Sequence, residues 1–145
     1  MNFCDYGLQL TRGFRALKVW MALKTYGASR FRQIIDRCLD LTEYAARWFE
    51  RSPRIELVTR PQLGIFTFRY VPERLPAADA QAYLNRLNER LVAKITASGK
   101  LMLSSTRLGS LTVLRLCVLN HRTRKEDIKE ALSLIERLGR EAEAG

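Results

Sequence analysis

Histidine, cysteine and long apolar runs are scarce in this sequence. It contains one His and three cysteines in 145 residues, and no two cysteines form a C-x-x-C pair. A structural zinc site needs several Cys or His ligands at short spacings, so we expect no metal site. The cysteines Cys4, Cys38 and Cys117 are scattered and odd in number. They suit a reducing compartment better than a disulfide framework, which predicts a cytoplasmic protein.

Membrane, secretion and catalytic signatures are missing as well. No apolar run is long enough to span a bilayer, and residues 1–6 have neither the basic nor the apolar segment of a secretory signal. There is no H-E-x-x-H, no G-x-S-x-G and no glycine-rich phosphate loop. His121 would need an orienting partner to act as a general base, and the sequence identifies none. Taken alone, the chain is typical of a binding or accessory domain rather than of a complete enzyme.

Charge is what the sequence has in excess. With 25 Lys and Arg against 15 Asp and Glu, the formal net charge is +10. One interpretation is a free-standing basic module that binds nucleic acid or another polyanion. The other is one piece of a larger protein whose remainder is acidic. The arginines form no long run and do not alternate with aromatic residues, which disfavours nucleic-acid binding.

Hydrophobic content of 47% predicts a globular chain, and its length fits a single domain over 1–145 with an irregular lead-in over 1–10. Apolar periodicity predicts helices over 11–26, 30–50 and 78–97. Gly27 and Gly99 stop the first and third of them. Thr123 and Glu126 form a T-x-x-E capping box that starts a final helix. Trp48 and Phe49 are expected in the core.

Strands are predicted over 55–59, 64–70, 101–105 and 111–120. The element order is ααββαββα, and its short strand connections predict hairpins. The fold class is therefore α+β, a small antiparallel four-stranded sheet covered by helices. The first helix is apolar on most sides, which predicts burial against other structure, or exposed apolar surface and self-association when that structure is missing.

Arg115 is the one cation in the apolar strand 111–120. The apolar, partly β-branched residues of this stretch predict a central strand buried on both faces. Burying a guanidinium without an anion is very costly, because it cannot lose its proton. Three arrangements remain open: Arg115 reaches water at a rim, pairs with a carboxylate inside the protein, or binds an anionic ligand.

Arg12, Arg15 and Lys18 are spaced three apart and share one face of the predicted first helix. Like charges on one face repel each other, which points to an anionic or inter-domain contact. The spacing alone favours the simpler alternative, in which the three side chains extend into solvent. Ser105 and Thr106 are possible polar contacts near the strand turn, although turn chemistry explains them equally well.

Three separated segments resemble the pyridoxal-phosphate-dependent group II amino-acid decarboxylases, the family of the aromatic-amino-acid, tyrosine and glutamate decarboxylases. Residues 10–27, LTRGFRALKVWMALKTYG, are similar to that family's R-R-F-R-x-L-K-x-W segment. Residues 63–69, LGIFTFR, are similar to its L-G-L-V-C-F-R strand. Residues 113–120, VLRLCVLN, resemble its F-x-L-R-x-x-x-x-N strand, with Thr123 at the family's spacing. The segments occur in the family's order across nearly the whole chain.

The resemblance implies the C-terminal small domain of a fold-type-I enzyme, a lyase (carboxy-lyase) of amino-acid metabolism with pyridoxal phosphate as cofactor. In that family the Schiff-base lysine belongs to an H-K dipeptide on the large domain, and no lysine of this chain follows a His. We therefore expect a fragment that is catalytically incomplete alone. Its expected partner is the missing cofactor-binding large domain or a second decarboxylase chain, with a homodimer in the full-length enzyme.

The resemblance also gives Arg115 a role. In the glutamate decarboxylase branch, the arginine at this position of the strand binds the substrate carboxylate, and the planar guanidinium suits bidentate carboxylate recognition. In the first segment Gly13 replaces the second Arg of the family's Arg-Arg pair. Any ion pair made by that Arg in the full enzymes is therefore absent here.

Overall fold

The structure, a computed structural model, describes residues 3–6, 13–76 and 79–144. Its elements follow the predicted order. They are a 3-10 helix Phe3–Tyr6, α1 Ala16–Arg51, β1 Ile55–Gln62, β2 Ile65–Tyr70, α2 Ala80–Ser98, β3 Ser104–Leu108, β4 Leu111–Cys117 and α3 Lys125–Glu143. None of the helices in the described ranges is both long enough and apolar enough to cross a membrane.

The chain forms two compact units, Met1–Ile34 and Ile35–Gly145, and α1 contributes to both. In the first unit Gly27 interrupts α1 with φ 76° and ψ 156°, a conformation that glycine tolerates, so the predicted break lies where it was expected. Across it, the rings of Tyr26 and Phe31 meet edge to face at 6.4 Å. Many of the unit's apolar side chains are exposed, namely Phe14, Leu17, Val19, Trp20, Met21, Leu23 and Tyr26. The single-domain interpretation of 1–145 stays a prediction.

The second unit is built on one antiparallel sheet of four strands in the order β1-β2-β4-β3. A two-residue turn at Gly109 and Ser110 joins β3 to β4, and Gly109 has a φ of 60°. The predicted α+β class and the predicted four-stranded antiparallel sheet are both confirmed.

The core lies on one face of this sheet, where buried side chains of all three helices pack. Phe49 of α1 lies over the strands, with ring centroids 5.4 Å from Phe66 and 4.5 Å from Phe68. Leu114 and Leu116 of β4 are partners of Phe68 and Phe66 and belong to the same core. Helices therefore cover this face, as expected.

Several predicted boundaries are wrong. β1 continues through Pro61, which an edge strand tolerates because one row of its N–H groups needs no partner. β3 begins at Ser104 rather than at 101, and β4 ends at Cys117 rather than at 120.

Trp48 was predicted in the core, but it is exposed on α1, and its indole Nε1 donates to the Tyr44 hydroxyl at 2.9 Å. The polar edge of the indole explains that placement.

The capping box of α3 is shifted by one residue from the prediction. Arg124 is the N-cap, and its backbone N–H donates to Asp127 Oδ2 at 2.8 Å. Asp127 therefore replaces Glu126 as the acid that closes the first turn. Thr123 instead accepts a hydrogen bond at its carbonyl from Arg37 Nη2 at 3.3 Å, which ties α1 to the start of α3.

Candidate functional site

β4 is an internal strand with two different faces. Leu114 and Leu116 are buried against the helices. Arg115 and Cys117, which alternate with them along the strand, are exposed on the other face. Val113 shares that second face and is nonetheless buried. The expectation that this strand is buried on both faces along its length is therefore wrong. An alternating strand carries its polar residue on the open side of the sheet.

A row of polar side chains crosses all four strands on this face, which is exposed at Thr59 and Arg115 but buried at Thr67. Thr59 of β1 is the partner of Thr67, Thr67 is the partner of Arg115, and Arg115 is the partner of Ser104. Directly opposed residues of an antiparallel pair point to the same side, so these four side chains share one face. The hydroxyls of Thr59 and Thr67 lie 2.9 Å apart and hydrogen-bond to each other.

Arg115 meets a hydroxyl rather than an acid. Its Nε donates to Ser104 Oγ at 3.1 Å, and no carboxylate of the described residues forms an ion pair with it. The four strands contain one acidic residue, Glu56, which is already paired. Of the three arrangements open from sequence, the structure excludes the internal carboxylate pair among the residues it describes.

Arg69 on β2 is a strand arginine whose guanidinium already has protein acceptors. Its Nε donates to Glu56 Oε2 at 2.6 Å, and its Nη1 donates to Gln81 Oε1 at 3.2 Å. Its side chain is 14% exposed. Arg115, by contrast, is exposed and retains donors with no protein acceptor among the described residues. Of these two strand arginines, Arg115 is the one able to take an external anion.

The other predicted site residues lie in the first unit or outside the described part. Arg12 falls outside the described residues. Arg15 precedes the helix, which begins at Ala16, and its backbone N–H donates to Gly13 O at 2.8 Å. Lys18 is within α1, and both side chains are exposed. Arg15 therefore lies one residue before the described helix, and the shared helical face of Arg15 and Lys18 stays a prediction.

Ser104 is the site residue that the sequence prediction missed. The polar residues singled out near the turn were Ser105 and Thr106, and Ser105 is the partner of Leu114, on the core side of the sheet. Counting outward from the turn residues Gly109 and Ser110 along both strands leads to Ser104 opposite Arg115. The two-residue turn was therefore the available signal, because its length fixes the register of the hairpin.

The four strands supply neither a lysine nor a histidine to this face. None of the residues of β1, β2, β3 or β4 is a lysine. His121 is exposed beyond the end of β4. The described residues include no cluster of His, Cys, Asp and Glu able to hold a metal ion. The second unit is therefore an α+β fold in which the Nη donors of Arg115 have no acceptor among the described residues.

Residues 1–71 match the family model described as the pyridoxal-dependent decarboxylase conserved domain. Aromatic-L-amino-acid decarboxylase of Bacillus atrophaeus is 41% identical over 141 residues, which are 97% of this chain and 29% of that protein. The chain is homologous to part of the pyridoxal-dependent decarboxylases, as the three sequence segments predicted.

Solved structures agree with this relationship. The crystal structure of mouse CSAD superposes with a TM-score of 0.87 at 25% identity, covering 94% of this chain and 30% of that one. For Oryza sativa TDC with pyridoxal phosphate and tryptamine the TM-score is 0.83 at 24% identity, covering 94% and 29%, which shows the fold. The chain spans less than a third of the length of each relative named here.

Pyridoxal phosphate is the cofactor of this family. The open face of the sheet does not form a site for it, because no strand supplies a lysine amine for the Schiff base. The same face does fit a carboxylate, through the free donors of Arg115. The comparisons give no support to the alternative prediction of nucleic-acid or polyanion binding.

Proposed function

We propose that this chain is the carboxylate-recognition part of a pyridoxal-phosphate-dependent amino-acid decarboxylase, a carboxy-lyase, with Arg115 as the substrate-binding residue. One observation carries the proposal: Arg115 is an exposed cation on an internal strand, hydrogen-bonded to Ser104 and unpaired with any described acid. A guanidinium held this way binds a carboxylate through two parallel hydrogen bonds.

Arg115 orients the substrate and takes no part in making or breaking bonds. Fixing the substrate α-carboxylate orients the bond that breaks, and orientation of a reacting group lowers the activation barrier. Pyridoxal phosphate, when bound, supplies the electron sink for the pair left by the departing carboxylate. We assign the cofactor-binding lysine to the large domain or a second decarboxylase chain, because no strand of this face contains a lysine and no lysine of this chain follows a His.

The exposed apolar part of α1 supports a partner of that kind. Trp20 and Met21 are both more than half exposed, which is unusual for large apolar side chains in a stable surface. From the same segment of the sequence, Arg12, Arg15 and Lys18 would add anionic or inter-domain contacts. We place the complete enzyme in the cytoplasm as a homodimer, and the scattered cysteines agree with the reducing compartment.

Cofactor labelling tests whether the chain alone is catalytically incomplete. The purified chain is incubated with pyridoxal phosphate, reduced with borohydride and mapped by mass spectrometry. We expect low, scattered labelling of exposed lysines and no amine formed from an aromatic L-amino acid. Stoichiometric labelling of one lysine, or amine production, would contradict the proposed division of labour.

A chimera tests the role of Arg115. The aligned segment of the Bacillus atrophaeus enzyme is replaced by this chain, and kcat and KM are measured with an aromatic L-amino acid. Arg115→Gln should lower kcat/KM by roughly 10- to 100-fold, the magnitude of a lost charged hydrogen bond. Arg107→Gln is the matched control, since it removes the same charge from an exposed position on β3. Equal losses in both variants would refute a specific role for Arg115.

A further inference from the structure

The hydroxyl of Ser104 restricts which edge of the Arg115 guanidinium is free. A guanidinium has two edges that can bind a carboxylate with paired donors: one combines Nε with an Nη, and the other combines the two Nη atoms. In this structure the Nε donates to Ser104 Oγ at 3.1 Å. The edge containing Nε is therefore partly occupied by the protein.

Neighbouring groups leave Ser104 as the side-chain acceptor for that Nε. Thr67, the other strand partner of Arg115, has its hydroxyl bonded to Thr59 Oγ1 at 2.9 Å. Thr59 Oγ1 also accepts the backbone N–H of Thr67 at 3.0 Å, which fixes this pair on the side away from β3. No described residue accepts a hydrogen bond from either Nη of Arg115.

Backbone pairing holds Ser104 and Arg115 in register. They are directly opposed residues of β3 and β4, and the two-residue turn that closes this hairpin fixes their alignment. Ser104 has a short side chain with few rotamers, so it costs little conformational entropy to keep its hydroxyl in place. Held in this way, the Arg115 guanidinium resembles a positioned donor group more than a mobile surface side chain.

We propose that Ser104 is a positioning residue, which holds Arg115 by its Nε so that both Nη atoms point outward as an end-on fork for a carboxylate. The proposal rests on the carboxylate-binding role of Arg115 proposed above. The ligand class is a monocarboxylate whose two oxygens meet Nη1 and Nη2. Loss of the hydroxyl frees Nε, allows side-on binding and makes the guanidinium less ordered.

NMR of the purified chain, labelled with 15N-arginine, tests this directly. The Nε–H resonance is assigned from its loss in Arg115→Lys, and the chain is titrated with sodium benzoate against sodium chloride at equal ionic strength. We expect benzoate to shift the Nη resonances of Arg115 and to leave its Nε–H almost unchanged. In Ser104→Ala, Nε–H should respond to benzoate and exchange faster with water, and affinity should fall about 2- to 10-fold.

Two variants separate positioning from general structural effects. Ser104→Thr keeps a hydroxyl and should restore the wild-type pattern, whereas Ser105→Ala removes a hydroxyl from the neighbouring residue and should leave it unaltered. Equal Nε–H exchange and affinity in wild type and Ser104→Ala would overturn the positioning role alone. If no Arg115 resonance responds to benzoate in the wild-type chain, both this inference and the proposed role of Arg115 fail.

Discussion

The amide of Asn88 binds both backbone polar groups of Tyr70. Tyr70 N–H donates to Asn88 Oδ1 at 2.8 Å, and Asn88 Nδ2 donates to Tyr70 O at 3.0 Å and to Leu84 O at 2.9 Å. The pairing between β2 and β4 extends only to Phe68 and Leu114, so this buried side chain takes the place of the next strand partner. A helix residue thereby satisfies the end of a central strand.

Removing this amide should destabilise the protein. Asn88→Ala leaves Tyr70 N–H and O without a partner in a fully buried position, and we expect a loss of about 2–4 kcal/mol. Urea unfolding measured by circular dichroism gives the difference. Asn85→Ala is the control: Asn85 makes similar bonds, to Ser110 O and Thr112 N, in a partly exposed position. An equal or larger loss at Asn85 would contradict the burial argument.

The order of elements could be predicted because it depends on local signals. Gly27 and Gly99 mark helix ends through their positive φ, and the Gly109 turn marks the β3–β4 hairpin. Arg115 was recognisable as a candidate because one permanent cation in an apolar strand requires an explanation. These features follow from residue type and spacing alone.

The exact contacts could not be predicted because they depend on distant packing. Whether Arg115 pairs with an acid depends on where Glu56 lies, and Glu56 is bound by Arg69 across the β1–β2 pair. The apolar period of α1 does not show that Trp48 lies at the margin of its buried stripe, where its indole bonds to Tyr44. Choosing between Ser104 and Ser105 required the register of the hairpin.

Gly139 should resist enlargement. It lies within α3, and a Cβ at this position would overlap the ring of Tyr70. Alanine improves helix propensity by about 1 kcal/mol, but overpacking a buried contact costs roughly 1–3 kcal/mol. We expect a net loss of stability in Gly139→Ala on thermal unfolding. Gly13→Ala, where the added Cβ meets nothing within 4 Å, should change stability little. Stabilisation by Gly139→Ala would show that the ring moves freely.

Tyr70 should make stability fall at high pH. The pKa of Tyr70 is raised to about 12. Burial of the phenol is the largest cause, and its hydrogen bond to Glu143 and the negative charge of Glu143 raise the pKa further. The unfolded chain loses this proton near pH 10, whereas the folded chain retains it. Stability contributed by the neutral phenol is therefore complete below pH 10 and is lost as pH rises from about 10 to 12, by about 1–3 kcal/mol.

Paired variants isolate that titration from the other groups that ionise at high pH. The stability difference between wild type and Tyr70→Phe should decrease from about pH 10 to 12, measured by urea unfolding at each pH. Glu143→Gln should weaken the pH dependence, because it removes a neighbouring negative charge. Glu141→Gln, which breaks only an exposed pair with Arg137, should leave it unchanged. A pH-independent difference for Tyr70→Phe would contradict the raised pKa.

Trp20 and Met21 should drive self-association of the isolated chain. Both side chains are exposed among other exposed apolar residues of α1, and water favours burying such a patch. Replacing both by Ser should raise the dissociation constant about tenfold or more, as measured by sedimentation velocity over a range of concentrations. Trp48→Ser is the matched control, because Trp20 is 57% exposed and Trp48 is 44% exposed.

Salt dependence identifies the force behind that association. Each chain has a formal charge of +10, so two copies repel, and added salt screens the repulsion. Association through apolar side chains should therefore strengthen between low and moderate ionic strength. Association through charge pairs, or through a contaminating polyanion, would weaken over the same range. A dissociation constant that rises with salt, or that is equal in the Trp20/Met21 double variant and the Trp48 variant, would exclude the Trp20 and Met21 side chains as the cause.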